Sequence, residues 1–215
     1  MIVVLGNQKG GVGKSTLTVN LAVAWQNVGL SVVVIEADPS IHTASRWAED
    51  REVEGYGSVL VLKKTGQLKK ALLDLDEKYD VVVVDSAGKD SPEMRSALLA
   101  ANVVLIPTPM SQTDIDSVID MKRDIIDVAA EYNPSLVPAI VLSRVTTHPW
   151  STEAEDAREV LQKKFPVIVP AVIHDRKAYR ASLNDGLSVL EGTDRKAAGE
   201  IMDLAEQVKE IAHGV

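Results

Sequence analysis

The residues with chemistry to offer are concentrated in Leu5–Thr18, LGNQKGGVGKSTLT. Lys9 and Lys14 bracket Gly10, Gly11 and Gly13, and Ser15 and Thr16 follow. An apolar run over 2–5 precedes the stretch and reads as a buried strand, and helical spacing follows it. Strand, glycine-rich turn, Lys-Ser and helix form a phosphate cradle. Successive backbone N–H groups converge on one point, and the helix N-terminus adds partial positive charge. Lys14 is placed to neutralise the β- and γ-phosphates of a triphosphate. The Ser15 hydroxyl is placed to ligate Mg²⁺, and Thr16 to face the α-phosphate.

Two carboxylates end strands at the right places to join this chemistry. Asp85 closes a four-valine run, where a carboxylate holds the metal, usually through a water. Asp38 closes the second apolar run within Glu36-Ala37-Asp38-Pro39-Ser40, where a carboxylate can orient or deprotonate an attacking water.

The elements that must position these groups follow from hydrophobic spacing. Strands are expected over 2–5, 31–35, 59–62, 79–85, 102–107, 137–142 and 165–172. Helices are expected over 14–28, 43–52, 67–75, 91–101, 114–131, 151–164, 176–183 and 194–212. Gly29 ends the first helix, and Ser91 with Pro92 starts the fourth. Thr152 and Glu155 have the spacing of a capping box. Apolar strands alternating with helices predict an α/β fold of three layers, a mostly parallel twisted sheet with helices on both faces, and one domain over 1–215. Ligands bind such sheets at the carboxyl ends of the strands, after Leu5, Ile35, Val84, Ile106, Leu142 and Val172.

Composition narrows the function. Hydrophobic residues make up 46% and aromatics 4%, so the core is aliphatic, which suits a buried parallel sheet. There is no cysteine, which removes disulfides, thiol catalysis and cysteine-ligated clusters. The net charge of −8 excludes a globally basic nucleic-acid binder, though not a local basic patch. No apolar run reaches membrane-spanning length, and the chain begins on a core strand. A cytoplasmic protein is expected. The four histidines lack metal-ligand spacing and read as solvated or capping. The three tryptophans read as packing residues.

The phosphate loop departs from the general pattern, which would put glycine where Gln8 stands. A second lysine, Lys9, opens the run Lys9-Gly10-Gly11-Val12-Gly13-Lys14-Ser15-Thr16. This resembles the deviant Walker A motif of the ParA/MinD family of P-loop ATPases. The likeness extends to the Pro-rich turn at Pro107–Ser111 before Asp114, and it is nearest to small plasmid-partition ParA proteins. It implies ATP and Mg²⁺ as cofactors, with Ser15, Asp38 and Asp85 around the metal. It implies that Asp38 lies in a first switch loop needed for hydrolysis, beside Lys14. Asp85-Ser86-Ala87-Gly88 corresponds to a second switch, with Gly88 sensing the γ-phosphate. Ser143 and Arg144 fall where the family often has Asn-Arg against the adenine. Lys9 is implied to act in catalysis across an ATP-dependent homodimer, reaching the partner's phosphates.

The resemblance also implies non-specific binding to double-stranded DNA by a C-terminal basic patch, here Lys163, Lys164, Arg176, Lys177, Arg180, Arg195 and Lys196. A ParB-like adaptor would stimulate slow hydrolysis, and the protein would associate with the nucleoid. A membrane partner is not expected. The apolar stripe of the last helix (Ile201, Leu204, Ala205, Val208, Ile211) is backed by acidic residues that anionic lipid repels, so it reads as core packing. Two rivals remain: a positioning ATPase for a cargo other than DNA, and a small-molecule ATP-dependent ligase or kinase of the same fold.

Overall fold

A computed structural model describes residues 1–148 and 150–214. One seven-stranded sheet runs in the order β3-β2-β4-β1-β5-β6-β7, with every pairing parallel. The strands are β1 (Ile2–Leu5), β2 (Val32–Glu36), β3 (Leu60–Lys63), β4 (Val81–Asp85), β5 (Val103–Thr108), β6 (Val137–Val145) and β7 (Val167–His174). The helices are α1 (Lys14–Asn27), α2 (Thr43–Val53), α3 (Lys69–Asp76), α4 (Pro92–Leu98), α5 (Gln112–Met121), α6 (Asp127–Tyr132), α7 (Glu153–Gln162), α8 (Lys177–Asn184) and α9 (Arg195–His213).

Successive strand residues face opposite sides, and here both sides are covered. Val3, Leu5 and Val34 join Leu17, Trp25, Trp47, Ile201 and Leu204 in one core under α1, α2 and α9. Ile2, Val4 and Ile35 join Leu72, Met94, Val118 and Leu161 in the other, under α3 to α7. This is why β2 and β4 are unbroken valine runs rather than alternating ones. The α9 stripe expected to be core is buried at Ile201, Leu204, Ala205 and Val208.

Several local expectations need correction. The helix expected over 114–131 is interrupted by a π turn at Lys122–Ile126, where Lys122 pairs with Asp127 at 2.6 Å. Thr152 makes no cap with its side chain: its backbone is helical (φ −96, ψ −1) rather than extended, and its hydroxyl donates to Asp156 at 3.2 Å. Trp25 and Trp47 pack as expected, but Trp150 is 86% exposed. Ser91 does cap α4, accepting from Met94 N–H at 3.1 Å, with Pro92 in the first turn.

Candidate functional site

The phosphate loop joins β1 to α1. Gly11 at φ +75 and Gly13 at φ +106 hold conformations that a β-carbon disfavours, so the loop's tight path requires glycine there. Asn7, which sequence reasoning left without a role, braces the loop from below. Its amide donates to Pro107 C=O at 2.8 Å while its oxygen accepts from Lys9 N–H at 2.8 Å. The Lys14 side chain lies almost wholly buried along the loop, with Nζ donating to Lys9 C=O at 2.9 Å. Burial lowers the Lys14 pKa, and the fields of Asp85 and Asp38 oppose that shift.

A cleft of about 470 Å³ opens above the loop and brings Gly10, Lys14 and Ser15 together with Asp38, Asp85 and Gly88. Residues of three strand ends thus converge, as their positions in the sequence require. Gly88 is pressed against the loop: a β-carbon there would stand 2.9 Å from Gly10 Cα and 3.3 Å from Lys14 Nζ. Any side chain at this point would push the second switch off the phosphate loop.

Asp85 suits a metal partner. Its Oδ1 is buried with no hydrogen-bond donor. Burial raises its pKa to about 7, against the pull of the Ser15 hydroxyl and Lys14, and Glu36 and Asp38 add to the rise. A divalent cation would discharge that cost, and the Ser15 hydroxyl would supply a second oxygen ligand. No cluster of three ligating side chains forms among the described residues, which fits Mg²⁺, since it draws most of its shell from phosphate and water. When bound, the ion would offset charge on the phosphate oxygens.

The raised pKa has a measurable consequence. The folded protein binds a proton at Asp85 that the unfolded chain releases between about pH 4 and pH 7. Its contribution to stability is therefore full at low pH and lost as pH rises through 7. Without nucleotide, the Tm contribution of this group is expected to fall from pH 5 to pH 8. Asp85→Asn should flatten that slope, and an unchanged slope in thermal melts would remove Asp85 as its source.

Asp38 is held by its own loop: Oδ1 accepts from Ser40 N–H at 2.8 Å and Ile41 N–H at 3.2 Å. Behind it, Glu36 does a job that sequence reasoning did not foresee. Buried at 1% exposure, it caps α2, accepting from Ala44 N–H at 2.8 Å and Ser45 N–H at 3.2 Å. Glu36 therefore anchors the far end of the loop that carries Asp38.

Lys9 does not enter the phosphate cleft. Its Nζ donates to Asp114 Oδ1 at 2.9 Å and to Thr113 C=O at 2.7 Å, at the start of α5. Burial would raise the Asp114 pKa, but hydrogen bonds from Ser111 and Lys9 hold it below the usual range.

A second pocket, about 230 Å³, abuts the other side of the same loop through Gly11, Gly13 and Thr16. Ser143 and Arg144 line it. The Ser143 hydroxyl, however, is buried and donates to Val12 C=O at 3.1 Å, so its hydrogen is spent on the loop rather than left for a base. Arg144, at φ +55, donates to Gly11 C=O at 3.3 Å. The opposite wall is formed by His174, Arg176, Tyr179 and Arg180, two of which were grouped by sequence with a DNA patch.

The seven basic residues of that patch do not form one surface. Lys163 and Lys164 precede β7 while Arg176 and Lys177 follow it, and eight extended residues separate them by about 26 Å. Arg176 is paired with Glu200 at 2.7 Å, Arg180 with Asp175 at 2.7 Å and Lys163 with Glu159 at 3.1 Å. At the nucleotide end, Lys177, Arg195 and Lys196 are exposed.

Comparisons with known proteins agree with this geometry. The family profile described as CobQ/CobB/MinD/ParA nucleotide binding domain matches residues 3–189. Protein virC1 of Rhizobium radiobacter is 28% identical over 187 residues, covering 83% of this chain and 78% of the relative. Maintenance of carboxysome distribution protein A of Gloeobacter kilaueensis is 28% identical over 212 residues, covering 98% and 93%. Among solved structures, the septum site-determining protein MinD of Pyrococcus horikoshii with Mg-ADP shares the fold at a TM-score of 0.77. Its sequence identity is 20%, over 98% of this chain and 96% of that one.

Proposed function

The chain belongs to the CobQ/CobB/MinD/ParA nucleotide-binding family, whose ParA/MinD members are ATPases using ATP and Mg²⁺, and we propose that it is a nucleotide-operated switch that partitions or positions a large cargo. In this reading Mg-ATP fills the cleft and two copies close face to face. Lys9 of each copy reaches the other's phosphates, and a ParB-like adaptor triggers slow hydrolysis at Asp38. The closed dimer holds DNA through exposed cations such as Lys177, Arg195 and Lys196.

The observation that carries this reading is the division of labour between the two lysines. Lys14 lines its own phosphate cleft, whereas Lys9 is tethered outside it by a partly exposed ion pair to Asp114 and a hydrogen bond to Thr113 C=O. Such a pair contributes at most about 1 kcal/mol, so the lysine is easily released. Lys9→Ala is expected to keep Mg-ATP affinity within about threefold and to abolish the ATP-dependent dimer in sedimentation or sizing experiments. A variant that still dimerises with ATP refutes the sandwich. The same experiment separates the switch from a small-molecule ligase or kinase, which has no need of ATP-dependent dimers.

A cargo other than DNA is favoured by one finding: the relative named for carboxysome distribution aligns over 98% of this chain. Retention of ATP-loaded protein on DNA, weakening steeply with salt, distinguishes a DNA-bound switch from one that works elsewhere.

A further inference from the structure

The outer wall of the smaller pocket is assembled around one carboxylate. Glu200, projecting from α9 with its side chain 12% exposed, accepts four hydrogen bonds and forms an ion pair with Arg176. Its Oε1 takes His174 Nδ1 at 2.8 Å, Arg176 Nε at 2.8 Å and Arg176 Nη2 at 2.7 Å. Its Oε2 takes the Tyr179 hydroxyl at 2.8 Å and the His174 backbone N–H at 3.2 Å. Burial and the adjacent carboxylate push the Tyr179 pKa far up, so the phenol stays a donor.

An ionised carboxylate can only accept. His174 must therefore carry its hydrogen on Nδ1. That hydrogen is committed to Glu200, so Nε2 is the ring atom left over for another partner. A neutral imidazole protonated at Nδ1 presents a bare lone pair at Nε2. The pocket wall thereby holds a hydrogen-bond acceptor whose tautomer is set from behind.

The two cavities share Gly11, Gly13 and Thr16, with the phosphate cleft on one side and this pocket on the other. At about 230 Å³ the pocket is small for a whole nucleotide and suits one ring system. Adenine and guanine differ at the edge such an acceptor would meet, where adenine offers an amino donor and guanine a carbonyl acceptor. Acceptor against acceptor leaves two groups unpaired, which is costly in an enclosed site.

We propose that His174 is the specificity-determining residue for the base, selecting ATP over GTP, and that Glu200 is the positioning residue that fixes its tautomer. This deepens the nucleotide-switch reading and rests on it for the placement of the base. Positions 174 and 200 lie on separate elements, and it is Glu200 that joins them at the pocket.

The test is isothermal titration of the full chain with Mg-ATP and with Mg-GTP, with thermal melts of each variant. Wild type is expected to prefer ATP by tenfold or more. His174→Ala should bring the ratio of the two affinities near one. His174→Gln, whose amide can donate to Glu200 and offer an oxygen to the base, should restore most of it. Glu200→Gln should erode the preference, lowering the affinity for Mg-ATP more than that for Mg-GTP.

A wild type without preference, or a His174→Ala protein that keeps the wild-type ratio, overturns the assignment. If both affinities of His174→Ala drop equally, the base lies here but His174 does not choose it. If neither affinity changes, the base lies elsewhere and the pocket reading itself fails. Should Glu200→Gln unfold, the two His174 variants decide the question alone.

Discussion

Asp38→Ala is expected to cut ATP turnover by about 10²- to 10⁴-fold while nucleotide still binds, the range that a positioned carboxylate acting on an attacking water supplies. Asp38 shares the cleft with Lys14, Ser15, Asp85 and Gly88, and its field is felt at both Lys14 and Asp85. Its Oδ1 is fixed by Ser40 N–H and Ile41 N–H. Among the described residues no protein donor engages Oδ2, so one oxygen holds the loop in shape and the other can meet a water.

The substitution removes both functions, and Asp38→Asn separates them. The asparagine oxygen can still accept from Ser40 and Ile41, but it cannot take a proton. If Asp38 acts on water, Asn should be nearly as slow as Ala in single-turnover hydrolysis, with Mg-ATP affinity close to wild type. If it serves only to shape the loop, Asn should restore most of the rate. Loss of ATP binding in both variants would instead make Asp38 part of the metal's shell. Removing one of the acids around Asp85 should also relieve the upward push on the Asp85 pKa. The stability slope between pH 5 and pH 8 should then shift to lower pH in Asp38→Asn.

What could be read from the sequence was what consecutive residues dictate. The phosphate loop, the valine strand ending at Asp85 and the cap at Ser91 are each set within a few residues. The parallel pairing of the sheet follows from the strand–helix alternation. The groups that sequence reasoning missed are assembled from distant positions. Glu200 meets His174 and Arg176 across 26 and 24 residues, and nothing around Arg176 shows that its charge is already answered. A run of basic residues therefore reads as one surface when the fold divides it across both ends of β7 and places two of its members in the wall of the pocket beside the phosphate loop. Glu36 is similar: beside Asp38 in the chain it looks like a site acid, yet its oxygens serve the N-terminus of α2. The Thr152 cap failed for a local reason, since its backbone takes a helical rather than an extended conformation at the cap position.

The largest stability effect is expected at a position with no chemistry of its own. Arg51, on α2 just beyond the first switch, is 3% exposed and spends its whole guanidinium inside the protein. It pairs in fork geometry with Glu191, at 2.7 Å through Nη1 and 2.5 Å through Nη2. It also donates to Gly57 C=O at 2.5 Å and Gly186 C=O at 3.1 Å, and it stacks 5.2 Å over the Trp47 ring. Gly186 sits at φ +65 with room for no β-carbon, since one would stand 2.5 Å from Arg51 N. The same connection between α8 and α9 is tied to α1, where Asn20 Oδ1 accepts from Ser188 Oγ and Val189 N–H, both at 2.8 Å. The Asn20 amide donates in turn to Thr16 C=O at 2.8 Å, at the phosphate loop.

Arg51→Ala leaves Glu191 and two carbonyls without their donor and removes the plate over Trp47. Breaking a buried pair on one side costs about 3–5 kcal/mol. Glu191 keeps 28% of its side chain exposed, which places the expectation near the lower end. For a chain of this size, about 3 kcal/mol lowers Tm by roughly 6–12 °C. Lysine should not rescue it, because a point charge cannot reproduce the fork. Burial alone would raise the Glu191 pKa, but Arg51 and the Ser188 N–H hold it below the usual glutamate range. The pair's contribution is thus present at neutral pH and lost as pH falls through that lowered value, a loss that Arg51→Ala should no longer show. A melt within 2 °C of wild type would mean that the clamp is ornamental. An Mg-ATP affinity weakened in Arg51→Ala would show that the chain Arg51–Glu191–Ser188–Asn20–Thr16 couples the first switch helix to the nucleotide.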